Sequence, residues 1–160
     1  MICEKIIGTA DEPRFADLLH EKVEVEWYNV GSRLNRCRTE TGEEVGIRLS
    51  GDDLKRGMRH GDVIFADEHR CLVVYVPPCP VIKATVERDH RLALIRLCYE
   101  IGNTHAKLIC EDDLQTFYVA YTPLYQGLAE SLKRIEGIQV EIVDRRLDLA
   151  DALPASAFAY

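Results

Sequence analysis

The feature that most constrains this chain is a change of pattern at "VPPCP", residues 76 to 80. Before it, short segments alternate apolar and polar residues and are separated by turn formers: "EKVEVEWYN", "SRLNRCRTETGEEVGIRLS" and "GDVIFADEHRCLVVYV". In "VEVEW", Val23 and Val25 alternate with Glu24 and Glu26, the period of a strand with one wet face. Thr41-Gly42 and the polar run at 67 to 70 read as hairpin turns, and "LKRGMRHGD", punctuated by Gly57 and Gly61, reads as loop between hairpins.

After the prolines the order becomes strand, helix, strand, strand, helix, strand. The first strand is "VIKATVE", and the first helix runs from an N-cap candidate at Asp89 through "HRLALIRLCYEI". Its predicted core stripe is Leu94, Ile95, Cys98 and Ile101, with Gly102 as its stop. "AKLIC" and "LQTFYVAY" form a hairpin across Glu111, Asp112 and Asp113. The second helix has Thr122 as N-cap, Pro123 at its first position, a stripe of Leu124, Leu128, Leu132 and Ile135, and Gly137 as its stop. "IQVEIV" is the closing strand. The expected fold class is α+β: an N-terminal all-β domain over 1–78, then a ferredoxin-like β-α-β-β-α-β domain over 79–146. The tail at 147–160, small-residue and Pro-containing, is expected to be flexible.

A formal net charge of -7 argues against nucleic acid as a partner, since phosphate binding needs a concentrated positive footprint. The longest apolar runs fall short of the roughly 20 residues a membrane span needs, and prolines break them. "MICEKIIGTADEPRF" lacks the basic start and apolar stretch of a secretion signal, so a cytoplasmic location is expected. Six cysteines, at 3, 37, 71, 79, 98 and 110, form no C-x-x-C pair and read as reduced, mostly buried thiols.

The chain carries no G-x-G-x-x-G loop, P-loop, G-x-S-x-G elbow or H-E-x-x-H helix. Asp52-Asp53 and the 111 to 113 run fall where solvated turns are expected. His20, His60, His69 and His90 sit in turn-like or helix-start settings and read as surface imidazoles without partners. His105 differs, because it follows a helix stop and opens a strand, where rigid elements hold a side chain without burying it. One imidazole cannot make a metal site, but a two-fold dimer would bring a second copy to meet it.

Two stretches carry a family resemblance: "CYEIGNTHAKLI", with Tyr99, Gly102, Asn103, Thr104 and His105, and "RLNRCRTETGEEVGIRLSGDDLKRGMRHGDVI". Over most of its length the chain resembles the urease accessory nickel metallochaperones of the UreE family. That resemblance implies a β domain similar to the peptide-binding domain of a heat-shock cochaperone, followed by a ferredoxin-like metal-binding domain. It implies a homodimer in which the two copies of His105 bind one Ni(II) as cargo, with Zn(II) or Cu(II) as competitors. Urease and its other accessory proteins, including the GTPase of the maturation complex, are the implied partners, and no reaction is catalysed. The chain departs from the family in three places: Thr104 stands where arginine is usual, and neither "LQTFYVAYTPLYQ" nor the tail contains histidine. A metal-independent adaptor, in which the β domain captures peptide segments and the second domain only dimerises, is the alternative function.

Overall fold

The computed structural model describes residues 1 to 153. The chain divides into two compact units, Met1–Pro77 and Pro78–Tyr160.

In the first unit the strands are β1 (Ile2–Cys3), β2 (Gly8–Thr9), β3 (Leu19–Glu24), β4 (Leu34–Arg38), β5 (Glu44–Arg48), β6 (Asp62–Ala66) and β7 (Arg70–Tyr75), with one short helix, α1 (Gly51–Arg56). They form two sheets, ordered β1-β5-β4 and β2-β6-β7-β3. The β4–β5 hairpin turns where Thr41-Gly42 predicts it, Gly42 adopting φ +90°. The β6–β7 turn is held by Asp67, whose Oδ1 accepts from the amides of His69 and Arg70. Alternation works as read in β3: Val23 is buried while Lys22 and Glu24 face solvent, and Val25 just beyond is buried too.

Two details depart from the sequence expectation. The segment around Asp52-Asp53 is a helical turn rather than loop, with acidic residues in its first turn and Lys55 and Arg56 in its last, as the helix dipole favours. Asp53 also receives a hydrogen bond from the Ile6 amide at 3.1 Å, so it fastens the N-terminal segment instead of only being solvated.

Glu21 is buried on β3, although strand alternation alone would not choose a carboxylate there. The hydroxyls of Thr39 and Thr41 and the Arg70 guanidinium hold it ionised, with its pKa lowered to about 2 against burial that pushes the other way. Arg70 bridges onward to Glu43 at 2.8 Å. A carboxylate with a depressed folded-state pKa stabilises the fold above its unfolded value and loses that contribution as pH falls through the folded value. Acid titration followed by circular dichroism is therefore expected to show the first unit losing stability from about pH 4.5 down to about pH 2, the window between those two values. Glu21→Gln should flatten the response in that window.

The second unit comprises β8 (Cys79–Val86), α2 (Arg91–Asn103), β9 (Ile109–Cys110), β10 (Thr116–Ala120), α3 (Gln126–Lys133) and β11 (Ile138–Arg145). Its sheet has the order β11-β8-β10-β9 with every neighbouring pair antiparallel. Ile82, Ala84 and Val86 of β8, Phe117 and Val119 of β10, Ala93, Leu97 and Ile101 of α2, and Leu128 and Leu132 of α3 share one core. Both helices thus cover the same side of the sheet.

The helix ends differ from their predicted positions. Asp89 is not the cap of α2; it takes φ +67°, and His90 caps instead, its Nδ1 accepting from the Ala93 amide at 3.2 Å. Gly137, at φ +85°, lies against that imidazole: a Cβ there would stand 2.4 Å from His90 Cδ2. This glycine is required by close approach as well as by backbone conformation. Gly102 lies inside α2, which runs on to Asn103. Thr122 caps no long helix, because a 3-10 turn at Pro123–Tyr125 precedes α3; Leu124 is 81% exposed and the buried stripe begins at Leu128.

The acidic turn is structural: Asp113 Oδ1 accepts from the amides of Gln115 and Thr116, which hold its carboxyl below the usual range. Of "AKLIC" only Ile109 and Cys110 are extended, and the three residues between the turn at 104 to 105 and Ile109 are irregular. The segment expected to start a flexible tail is ordered at first. Leu147 is buried, Leu149–Asp151 form a 3-10 turn, and Ala152 and Leu153 bond back to Ile109 and Leu108 beside β9. The remainder of that predicted tail, 154 to 160, lies outside the described residues. Among the described residues no helix is long and apolar enough to cross a membrane.

Candidate metal centre

Helix α2 carries apolar residues on two opposite faces. Ala93, Leu97 and Ile101, four residues apart, are sealed in the core. Leu92, Ile95 and Tyr99 fall on the other side of a 3.6-residue repeat and are 56%, 64% and 67% exposed. The predicted stripe merged these faces: Ile101 is buried and Leu94 partly so, but Ile95 and Cys98 face outward. A helix that is apolar all round is normally buried all round. Gly102 continues the outer face, and nothing among the described residues asks for glycine: its φ is not left-handed, and a Cβ would meet none of them within 4 Å.

His105 follows directly. Thr104 has helical dihedrals, and His105 then turns into the left-handed region at φ +56°, a conformation that costs a side-chain-bearing residue roughly 1 kcal/mol or more. Three hydrogen bonds hold the reversal: Thr104 N to Ile101 O at 3.1 Å, Thr104 Oγ1 to Ile101 O at 2.7 Å and His105 N to Gly102 O at 3.1 Å. The Ala106 amide then bonds back to Thr104 Oγ1 at 3.4 Å. Because Ile101 is itself a core residue, the turn is anchored to the packed side of the helix. The imidazole stands exposed beside the C-terminus of a 13-residue helix, the negative end of the helix dipole.

Contrary to expectation, three of the other histidines have partners: His20 Nε2 donates to Phe15 O at 2.8 Å, His60 Nδ1 accepts from the Val76 amide at 3.3 Å, and His90 caps α2. His69 is exposed. All six cysteines are free thiols, but only Cys3 and Cys71 are buried, fewer than composition suggests. Burial pushes the Cys110 thiol up, and neighbouring Asp113 pushes it further, which disfavours the thiolate a metal would need. Among the described residues no three His, Cys, Asp or Glu side chains converge as a metal cage. What one chain offers is an exposed imidazole on a hydrogen-bonded turn beside an exposed apolar helix face. The outer face was legible as a second apolar series, Leu92, Ile95 and Tyr99, within "RLALIRLCYE".

A family model described as "UreE urease accessory protein, N-terminal domain" matches residues 3–76. The chain is 30% identical over 156 residues to a protein named urease accessory protein UreE from Helicobacter pylori (strain Shi470), covering 98% of this chain and 88% of that one. A protein of the same name from Flavobacterium johnsoniae is 32% identical over 133 residues, 82% of this chain and 76% of its own length. The one from Helicobacter acinonychis (strain Sheeba) is 28% identical over 156 residues, again 98% and 88%. With a family match across the first unit and relatives aligned through both, this chain belongs to the UreE family of urease accessory proteins.

Proposed function

We propose that this protein is a nickel carrier for urease maturation, working as a homodimer that holds Ni(II) between two copies of His105. As a member of a family of accessory proteins it is not an enzyme. The observation that carries the metal reading is the presentation of His105: an exposed imidazole on a core-anchored turn at a helix C-terminus. A borderline divalent ion takes imidazole readily but needs more than one donor, and a two-fold axis supplies the second from the same residue. The outer face of α2, Leu92, Ile95, Tyr99 and the bare Gly102, is the surface a second copy would cover. A site with few protein donors releases its ion easily, as a carrier requires.

The strand order β11-β8-β10-β9, with α2 and α3 as the connections, supports a ferredoxin-like arrangement for the second unit. In this reading the first unit contacts urease and its other accessory proteins, including the GTPase of the maturation complex. The protein acts in the cytoplasm, and Zn(II) and Cu(II) compete for the site.

Light scattering combined with equilibrium dialysis against Ni(II), Zn(II) and Cu(II) tests the proposal. The expected result is a dimer holding about one tight nickel ion, as two-fold symmetry requires. A monomer that binds nickel tightly on its own removes the shared site, and a dimer without specific nickel binding leaves the metal-independent adaptor as the function.

A further inference from the structure

We infer that Thr104 is a positioning residue for the metal site, its hydroxyl clamping the left-handed turn that presents His105; this inference rests on the nickel reading of His105. The hydroxyl bonds on both sides of the histidine. Its proton goes to Ile101 O at 2.7 Å, one turn back, and its oxygen accepts from the Ala106 amide at 3.4 Å, one residue past His105. Each end is tied to something rigid: Ile101 is 1% exposed in the core, and Ala106 packs against the same core. Between them His105 holds φ +56° with no side-chain hydrogen bond of its own among those described. Glycine would adopt that backbone at little cost, but glycine has no imidazole. A ligand-bearing residue there must be held by its neighbours, and the hydroxyl of Thr104 is the side-chain group that bonds across the turn.

The clamp acts on affinity through order. A donor already fixed in direction loses little freedom when metal binds, whereas a turn that samples several conformations must be ordered at that moment. Thr104→Val keeps the β-branched shape and removes the hydroxyl, while Thr104→Ser keeps the hydroxyl and removes the methyl. With both hydroxyl bonds lost per protomer, nickel affinity of Thr104→Val should fall by about 5- to 30-fold per histidine presented, and Thr104→Ser should stay near wild type.

The experiment is nickel calorimetry on the full-length wild type, Thr104→Val, Thr104→Ser and His105→Ala. It is paired with the three-bond HN–Hα coupling and backbone shifts of His105 in the metal-free proteins. The expected result is weaker binding by Thr104→Val together with His105 leaving its left-handed values, both restored in Thr104→Ser. If His105→Ala loses nickel while Thr104→Val binds like wild type, the clamp is overturned and the site stands. If Thr104→Val and Thr104→Ser weaken binding equally with His105 unmoved, the hydroxyl is not what positions the ligand. If His105→Ala binds nickel as well as wild type, the site reading itself has failed.

Discussion

His105→Ala is expected to abolish tight nickel binding while leaving secondary structure and dimer intact. The imidazole is exposed and makes no side-chain hydrogen bond among those described, so its removal empties no core volume. The turn beneath it survives, because its hydrogen bonds come from Thr104 and from the His105 backbone. In a two-fold dimer one substitution deletes both imidazoles. Removing a group that merely orients a metal ligand costs roughly 10- to 100-fold in affinity, so losing the ligands themselves should exceed about 100-fold. His105→Asn separates the imidazole from the backbone, since asparagine tolerates the left-handed region; it too should lose nickel with the fold unchanged. His60→Ala should do the reverse: it removes the acceptor of the Val76 amide, weakening the first unit while nickel affinity stays at the wild-type value. Nickel calorimetry and thermal unfolding on the same samples distinguish the variants. Wild-type affinity in His105→Ala, or its loss in His60→Ala, would place the site elsewhere.

The second large effect divides the two faces of α2. Leu97 is fully buried in the core that the sheet shares with α2 and α3, and Leu97→Ala should destabilise the second unit by about 2–5 kcal/mol through lost burial and a residual cavity. Ile95, two positions away and 64% exposed, is free of that constraint. Ile95→Asp should leave the unfolding of the isolated protomer nearly unchanged but convert the dimer to monomer, since a carboxylate in an apolar interface is desolvated without a partner. Nickel affinity should fall with it, because the second His105 is then missing. Light scattering across a concentration series and urea unfolding read the two effects separately. A stable Ile95→Asp dimer with undiminished nickel binding would show that the second copy docks on another surface.

Local physics made much of this readable in advance. Alternation announced β3, turn formers announced the hairpins at Gly42 and at 67 to 70, and element order announced the β-α-β-β-α-β succession. His105 stood out because its neighbours, the end of one element and the start of another, are encoded nearby in the chain. The errors have separate physical causes. Asp89 and His90 are both able to cap α2, and which of them does so depends on the backbone of Asp89 and on Gly137, brought alongside from the turn before β11. The interior of α2 could be mistaken for its end at Gly102 because glycine is permissive of a stop without demanding one. Leu124 reads as core by spacing, yet the 3-10 turn around it rotates it outward, and spacing holds only within one helix type.

The sequence by itself determined the period of each segment, the order of elements and the isolation of one histidine between them, because these depend on residues within a turn or two of each other. The tertiary structure alone decided which face of α2 meets the sheet, and therefore that Leu92, Ile95 and Tyr99 are left outside. It also decided that Glu21 is buried among Thr39, Thr41 and Arg70. Burial and charge pairing are properties of groups far apart in the chain, and their energies exist only once the backbone has brought those groups together.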